Sequence, residues 1–438
     1  MKPDSSPDLA APRRPGGNAL TRGVAGVLGL SVLALIAIAC LGSLPYTLGA
    51  APADASGAPT GGGTPRYKLD SPGVRLPPWW VTPDPEATRR LNAMVPAHAV
   101  RAIASKHGLD PAAVVALTTE TTGNDSNPGL AFEELKKLWP RYWLGTDFLG
   151  RSLLIRLLTG GGVSLGIGLA AAFISVLIGT LYGAFAGFIG GKTDAVMMRI
   201  VDVLFGLPYV LLVVLIAVAS DAALDEFIGR GHARTRWVEQ QAARDAADRG
   251  LSTDRNAVRG LLDADAAFRE DLENRALTAV PARVIGEGRR ALFDVATLLV
   301  AIGGVSWLTM ARVVRGQVLS LKAQPFMEAA RAIGLGWSGQ FFRHLLPNLV
   351  GPIVVYATLT VPQAILQESF LSFLGIGVKP PLPSWGNLAA DGLAEVNPYK
   401  SHWWLLFFPC AALGLMLLAL NFVGEGLREA IDPKRSRR

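Results

Sequence analysis

LLTGGGVSLGIGLAAAFISVLIGTLYGAFAGFIGG, residues 157–191, runs for 35 positions without one charged side chain. A helix that crosses a bilayer needs about 20 apolar residues to cover roughly 30 Å of hydrocarbon. Further charge-free runs lie at 23–44, 203–220, 295–311, 345–367 and 403–424. The runs 203–220 and 295–311 are slightly short, and flanking Met197, Met198, Leu292 and Phe293 extend them. The competing reading, buried core helices of a large soluble protein, would have to account for six such runs in one chain. Composition points the same way: half of the residues are hydrophobic and 18% are charged, against about 25% charged in an ordinary soluble domain. The expected fold is an all-α membrane protein with six transmembrane helices and two extramembrane, partly helical insertions.

The run 23–44 follows a basic tail and could be a secretory signal. Its 22 residues exceed the roughly 7–15 of a signal's apolar region, so an uncleaved first span is expected. The small residues Ala50 and Ala51 keep cleavage open as the alternative. Cys40 and Cys410 fall inside expected spans and read as small packing residues. His98, His107, His232, His344 and His402 are scattered without metal-ligand spacing, so no metal site is expected. The net charge of +7 reflects basic membrane edges rather than a nucleic-acid partner.

Basic residues in short loops set the orientation. Lys2, Arg13, Arg14 and Arg22 precede the first span, and Lys192 and Arg199 follow the second. Arg312, Arg315, Lys322, Arg331 and Arg343 lie between the fourth and fifth, and Arg428, Lys434, Arg435, Arg437 and Arg438 follow the sixth. The opposite-side loop 379–402 has only Lys379 and Lys400. Both termini, 1–22 and 425–438, are therefore expected in the cytoplasm. Residues 45–156 and 221–290 then face outward, separating the first span (23–44) from spans two and three (157–220) and spans four to six (291–424). The first insertion opens with a Gly/Pro/Ser-rich linker at 51–65 and has helix signals near 86–105, at Asp110-Pro111 and at 131–138. The second holds 12 Arg and no Lys against 13 acidic residues. Between Ser252 and Leu277, Val258, Leu261, Leu262, Phe268 and Leu272 fall at helical spacing. This reads as a solvated, charge-laced helix, with a helical hairpin over the outer mouth as the alternative.

EAARAIGLGWSGQFFRHLLP, residues 328–347, sits inside the expected cytoplasmic loop 320–347. Glu328 to Ile333 are good helix formers. Gly334 and Gly336 can supply the positive φ that ends a helix. A second short helix is expected from Trp337 to Leu345, and Pro347 suits the first turn of the fifth span. Two helices and a bend tied to spans four and five can carry force between a soluble partner and the membrane helices.

The combination Glu328-Ala329-Ala330, Gly334 and Leu346-Pro347 resembles the coupling loop of ABC importer permeases. A narrower resemblance, to the dipeptide, oligopeptide and nickel permeases, covers roughly 140–220 and 292–433. Leu144-Gly145-Thr146-Asp147 with Gly150-Arg151 resembles the segment before their second span, and Met198-Arg199-Ile200-Val201-Asp202 with Pro208 their third. Ala311-Arg312 and Val314 to Leu319 lead into the loop as theirs do. Glu368-Ser369 with Ser372 to Gly375, Ser384-Trp385-Gly386-Asn387, and Asp432-Pro433 resemble later family segments. Order and extent suggest the second, C-type subunit, with a type I importer core. The sequence departs from the pattern at Tyr142, where the family has His, near Gly162, where it has Arg, and in the length of both insertions.

The resemblance implies a coupling loop of Glu328, Ala329, Ala330, Gly334, Leu346 and Pro347 that docks into two ATPase subunits. The other implied partners are a second permease subunit, an extracytoplasmic substrate-binding protein and the lipid membrane. ATP and Mg would be used by the ATPase subunits and no cofactor by this chain. Gly190-Gly191-Lys192-Thr193 looks like the end of a phosphate loop, but Ala186 stands where that motif needs glycine. Arg199 and Asp202, three apart, are expected to pair within the membrane. Glu368 lacks a sequence-local partner and either lines the pathway or bonds a neighbouring helix. Asp147 and Arg151, four apart, read as an outer gate element or as a surface salt bridge. The expected function is that of a permease subunit for peptides or a related small solute. A secondary transporter or channel independent of an ATPase is the alternative, although such proteins often show repeats that are missing here. A membrane enzyme would need a catalytic constellation in 45–156 or 221–290, and neither segment offers one.

Overall fold

The computed structural model describes residues 24–50, 64–118, 127–281, 286–397 and 401–431. The N-terminal tail, most of the 51–65 linker, Lys400 and Asp432-Pro433 with the basic residues after them lie outside the described residues. The elements are α1 (Val24–Thr47), α2 (Pro85–Ala93), α3 (Ala97–His107), α4 (Pro111–Ala116), α5 (Asn127–Lys136), α6 (Leu153–Ile189), α7 (Gly191–Phe205) and α8 (Tyr209–Gly229). There follow α9 (Gly231–Asp248), α10 (Arg255–Ala264), α11 (Ala266–Ala279), α12 (Glu287–Lys322), α13 (Pro325–Ala332), α14 (Leu346–Phe373), α15 (Trp385–Ala394) and α16 (Trp404–Ile431). Among the described residues, β-pairing is limited to isolated bridges.

Five described helices are long and apolar enough to cross a membrane: Gly26–Thr47, Leu153–Ile189, Gly288–Lys322, Gly339–Phe373 and Trp404–Glu429. The expected third span, 203–220, is not one helix. Gly206-Leu207-Pro208 interrupts it, and a sixth span is reached only if Gly191–Phe205 and Val210–Phe227 count together. Pro208 has no amide proton to donate and disfavours helical geometry at Leu207. The separate short helix expected at 337–345 also differs. A π-turn over Gly339–Leu345 runs directly into α14, so this segment and the fifth span form one rod. At its far end α16 continues past residue 424 to Ile431.

The chain divides into two compact units, Met1–Pro208 with Ile302–Arg438, and Tyr209–Ala301. In the first, α6 packs against α1 and α14, and α16 packs against α1, α14 and α15. Close approach depends on small residues along α6, as is common where helices meet in lipid. A Cβ on Gly168 would lie 2.2 Å from Ile365 Cγ1, and one on Gly183 would lie 2.2 Å from the Ala311 carbonyl oxygen. Cys40 is buried with Leu165, Ile365, Trp385 and Met416 in one core cluster, as an apolar packing residue should be. Helices α3 to α5, with Val95 from the turn before α3, form a satellite core of Val95, Val100, Ile103, Val114, Ala131 and Leu135. Asp84 caps α2, its carboxylate accepting from the Ala87 amide, with Pro85 in the first turn. Pro96 splits the helix expected over 86–105 into α2 and α3.

In the second unit, α9, α10 and α11 close around Val238, Ala242, Val258, Leu262, Leu272 and Ala276. The helix signal at 252–277 is broken at Asp265, whose carboxylate caps α11 by accepting from the Phe268 amide at 3.0 Å. The charged segment therefore owns a small apolar core rather than a single solvated helix.

Candidate docking segment and buried charge cluster

At 1.5 Å per residue, the 36 residues of α12 reach about 54 Å, well beyond the roughly 30 Å of hydrocarbon. Its last turn, ending at Lys322, delivers the chain to α13. Gln324 has extended geometry at the N-cap and Pro325 occupies the first turn. Met327 and Ala330 face inward and are buried, while Glu328, Ala329 and Arg331 are exposed. Gly334 ends the element with φ +75°, and the Leu335 amide bonds back to the Ala330 carbonyl at 3.1 Å. Gly336, the other expected turn glycine, does not adopt positive φ. Pro347 sits in the first turn of α14, next to Leu346.

The inward face of this segment belongs to a core that reaches several helices. Met327, Phe341, Leu345 and Leu349 cluster with Ala184 and Phe188 of α6 and with Met310, Val314 and Val318 of α12. Trp337 stacks on Phe341 with centroids 6.0 Å apart, and Phe188 meets both rings edge to face. Lys322 donates to the carbonyls of Gly187 at 3.2 Å and Phe188 at 2.7 Å. These are carbonyls at the C-terminal end of α6, where positive charge is favoured. Arg315 grips Asp194 through two bonds of 2.8 and 2.6 Å, tying α12 to the start of α7. The outward tip carries exposed Phe326, Ile333 and Trp337.

Asp202 pairs with Arg312 at 2.9 Å rather than with Arg199, which is exposed on α7. The three-residue spacing permitted the local pair, but α12 brings a guanidinium that also stacks 3.9 Å from the Phe205 centroid. Gly190-Gly191-Lys192-Thr193 follows a helix, since residues up to Ile189 belong to α6. A phosphate cradle would need those residues as a loop.

At the opposite end of α14 lies a second constellation. Asp147 sits in a turn whose Gly150 has φ +77°, and a Cβ there would fall 1.9 Å from the Ser71 carbonyl oxygen. One Asp147 oxygen accepts from the amides of Leu149 and Arg151, both at 2.9 Å. The other accepts from Arg151 Nε at 2.8 Å and Arg156 Nη1 at 2.6 Å. Arg156 also lies 3.5 Å from Asp391 of α15. Asp147 and Arg156 are each 2% exposed in their side chains, so this is no surface salt bridge. Two carboxylates meet two guanidiniums, and the cluster is neutral. Nearby, Arg75 holds Glu395 through bonds of 2.7 and 2.8 Å, and His402 Nδ1 is 3.2 Å from the same carboxylate. The Arg75 bond holds the Glu395 carboxyl below the usual carboxylate range. Burial pushes the His402 imidazole down, against the pull of Glu395.

Glu368 is fully buried near the end of α14 and does have local partners: Ser372 donates at 2.8 Å and Ser369 at 3.3 Å. The hydroxyls of Ser164 on α6 and Ser384 also reach it. Three of these hydroxyls are engaged on their other side. Ser164 accepts from the Trp385 amide, Ser372 from the Val378 amide, and Ser384 caps α15 in a reciprocal pair with Asn387. One carboxylate therefore organises α6, α14 and the start of α15.

Sequence reasoning singled out Asp147 and Arg151 and missed Arg156, Asp391, Asp194, Arg75 and Glu395. Arg156 lies one position before the long apolar run, a costly place for an unpaired charge, and that was its available signal. Asp391 and Glu395 have no local signal, because their partners come from distant segments. Among the described residues, no group of three or more His, Cys, Asp or Glu is placed to hold a metal ion.

A set of long apolar helices, tightly packed through glycines and with an exposed short helix rooted in their shared core, defines a multi-span permease subunit. The chain belongs to the family of binding-protein-dependent transport system inner membrane components, whose model matches residues 179–437. It is 37% identical over 295 residues to the oligopeptide transport system permease protein OppC of Haemophilus influenzae, covering 67% of this chain and 70% of that relative. It is 39% identical to OppC of Escherichia coli K12 over 67% of this chain and 72% of the relative. It is also 36% identical to the dipeptide transport system permease protein DppC of Bacillus subtilis, over 68% and 70% respectively. The protein is a multi-pass inner-membrane permease subunit of an ABC importer, a transport component rather than an enzyme.

Proposed function

We propose that this subunit forms half of the translocation pathway of a peptide importer and is driven through Glu328–Pro347. The observation that carries the coupling role is α13 itself. It exposes Glu328 and Ala329 while Met327 locks into a core shared with α6, α12 and α14 and Ala330 is buried beside it. A push on its outward face would reach α6, α12 and α14 through that shared core, and beyond the turn at Gly334 the helix from Gly339 is continuous with α14. Peptides as cargo are supported by the names of the oligopeptide and dipeptide relatives. The remaining partners are a second permease subunit, two ATPase subunits using ATP and Mg, and an extracytoplasmic substrate-binding protein. The positive-inside distribution supports cytoplasmic termini. It also supports a cytoplasmic docking segment, with the Asp147 and Glu368 clusters toward the outer face as gate or pathway elements. ATP binding would shift the outward-facing and inward-facing states only by differential affinity for them.

The test is Glu328→Arg, which alters an exposed side chain and spares the core. Co-purification of the ATPase subunits and uptake of a labelled peptide should both fall sharply, with the level of the permease in the membrane unchanged. Normal assembly and normal uptake would reject the coupling role. Competition by a panel of peptides and metal chelates would read the cargo separately.

A further inference from the structure

Exposed tryptophans from three chain segments converge beside the start of α16. Trp79 and Trp143 meet edge to face at 6.1 Å. Trp80 donates its indole N–H to the Trp143 carbonyl at 3.1 Å and lies 6.2 Å from Trp403. Trp403 in turn packs on Phe407 at 5.8 Å, and Phe407 is exposed on the first turn of α16. Trp79, Trp80 and Trp143 are 53%, 52% and 64% exposed, far from the burial such large apolar rings ordinarily find. Basic side chains border the patch. Lys136 and Lys137 share a cavity of about 440 Å³ with Trp79 and Trp80, and Arg141 stands 6.0 Å from the Trp79 ring centroid.

The level of this patch follows from the length of α16. Its 28 residues reach about 42 Å at 1.5 Å per residue, which matches the roughly 40–45 Å of a bilayer with both headgroup layers. The residue that opens the helix therefore stands in a headgroup layer, and Trp80 and Trp143 are joined to that point through Trp403. Indole suits this layer because the ring is apolar while its N–H finds polar partners. We propose that Trp79, Trp80, Trp143 and Trp403 seat the helices of residues 64–152 in the lipid headgroup layer where α16 enters the membrane. Lys136, Lys137 and Arg141 face anionic lipid phosphates, which attract basic residues beside a membrane surface. A lipid surface fits better than a protein partner because the patch is continuous with a spanning helix. The proposal rests on the membrane placement of α16 and is independent of the cargo.

The test uses the assembled importer in nanodiscs, made of phosphatidylcholine alone or with phosphatidylglycerol. Spin labels are placed at Trp143→Cys and, with all four tryptophans intact, at Thr82→Cys, in a Cys40→Ala, Cys410→Ala background. Both labels should collide more with oxygen than with an aqueous nickel chelate, and phosphatidylglycerol should strengthen that preference. Lys136→Gln, Lys137→Gln and Arg141→Gln together should abolish the lipid difference. Labels that favour the nickel chelate at both sites would overturn the proposal. So would labels shielded from both reagents only when the substrate-binding protein is added, which would assign the face to that protein.

Discussion

Asp147 offers the sharpest test of how the cluster at the start of α6 is held together. It accepts four hydrogen bonds, two from backbone amides and two from guanidiniums. Asp147→Ala leaves Arg151 and Arg156 buried, with Asp391 as the remaining counter-charge at 3.5 Å from Arg156. Removing one partner of a buried ion pair costs about 3–5 kcal/mol, and each orphaned buried amide adds roughly 1 kcal/mol or more. We expect Asp147→Asn to fall at the lower end, about 3 kcal/mol, because its side-chain oxygen can still accept from Leu149 and Arg151. Asp147→Ala should cost about 1–2 kcal/mol more. The measurement is the half-denaturation temperature of the purified importer, with Asp147→Asn falling between the parent and Asp147→Ala. Adding Arg156→Met to Asp147→Ala should recover part of the loss, since replacing both members of a buried pair is often near neutral. A melting point for Asp147→Ala equal to that of the parent would refute the reasoning, as would an Arg156→Met addition that lowers it further.

Glu368→Ala should destabilise the importer by about 3 kcal/mol, because several buried serine hydroxyls lose their common acceptor and a cavity opens. Glu368→Gln should cost roughly half as much, since it keeps one carbonyl oxygen; equal melting points for the two variants would show that the hub is not held by hydrogen bonding. Gly150→Ala should prevent normal accumulation of the subunit, because its Cβ meets Ser71 backbone at 1.9 Å. Gly334→Ala, also at positive φ but in open space, should cost only about 1–2 kcal/mol; immunoblots of membrane fractions separate the two. Acid should loosen the Arg75–Glu395–His402 contact. His402 is depressed below its ordinary 6.5, so its stabilising effect is present above that pH and declines as pH falls below it. Glu395 is depressed below 4.5, so its contribution is present above 4.5 and declines as pH falls further. Melting curves from pH 7.5 to 5 should show the decline, and His402→Gln should flatten the segment nearest pH 6.

Much of this protein was legible as local pattern. Charge-free runs are set by the bilayer's thickness, so 157–191 declared a span without reference to any neighbour. Asp110-Pro111 and Gly334 declared helix ends because a first-turn proline and positive φ are single-residue chemistry. The break at Gly206-Leu207-Pro208 was also written in the sequence, but hydropathy averaged over it and joined the two sides into one span. The charged run around Ser252–Leu277 announced helix but not its partner, because burial of Val258 and Leu272 depends on α9 lying alongside.

The sequence by itself determined the class of solvent each segment prefers, the helix end at Gly334 and the short helix at Glu328. Tertiary structure decided who neutralises whom. Asp202 could have taken Arg199 at helical spacing, yet it meets Arg312 of another helix. Asp147 and Arg151 gained Arg156 and Asp391, and Glu368 gained Ser164 from a different helix. A buried charge must be compensated wherever the fold supplies a partner. Spacing along one helix reports only the partners within a turn or two, whereas packing brings in those from distant segments.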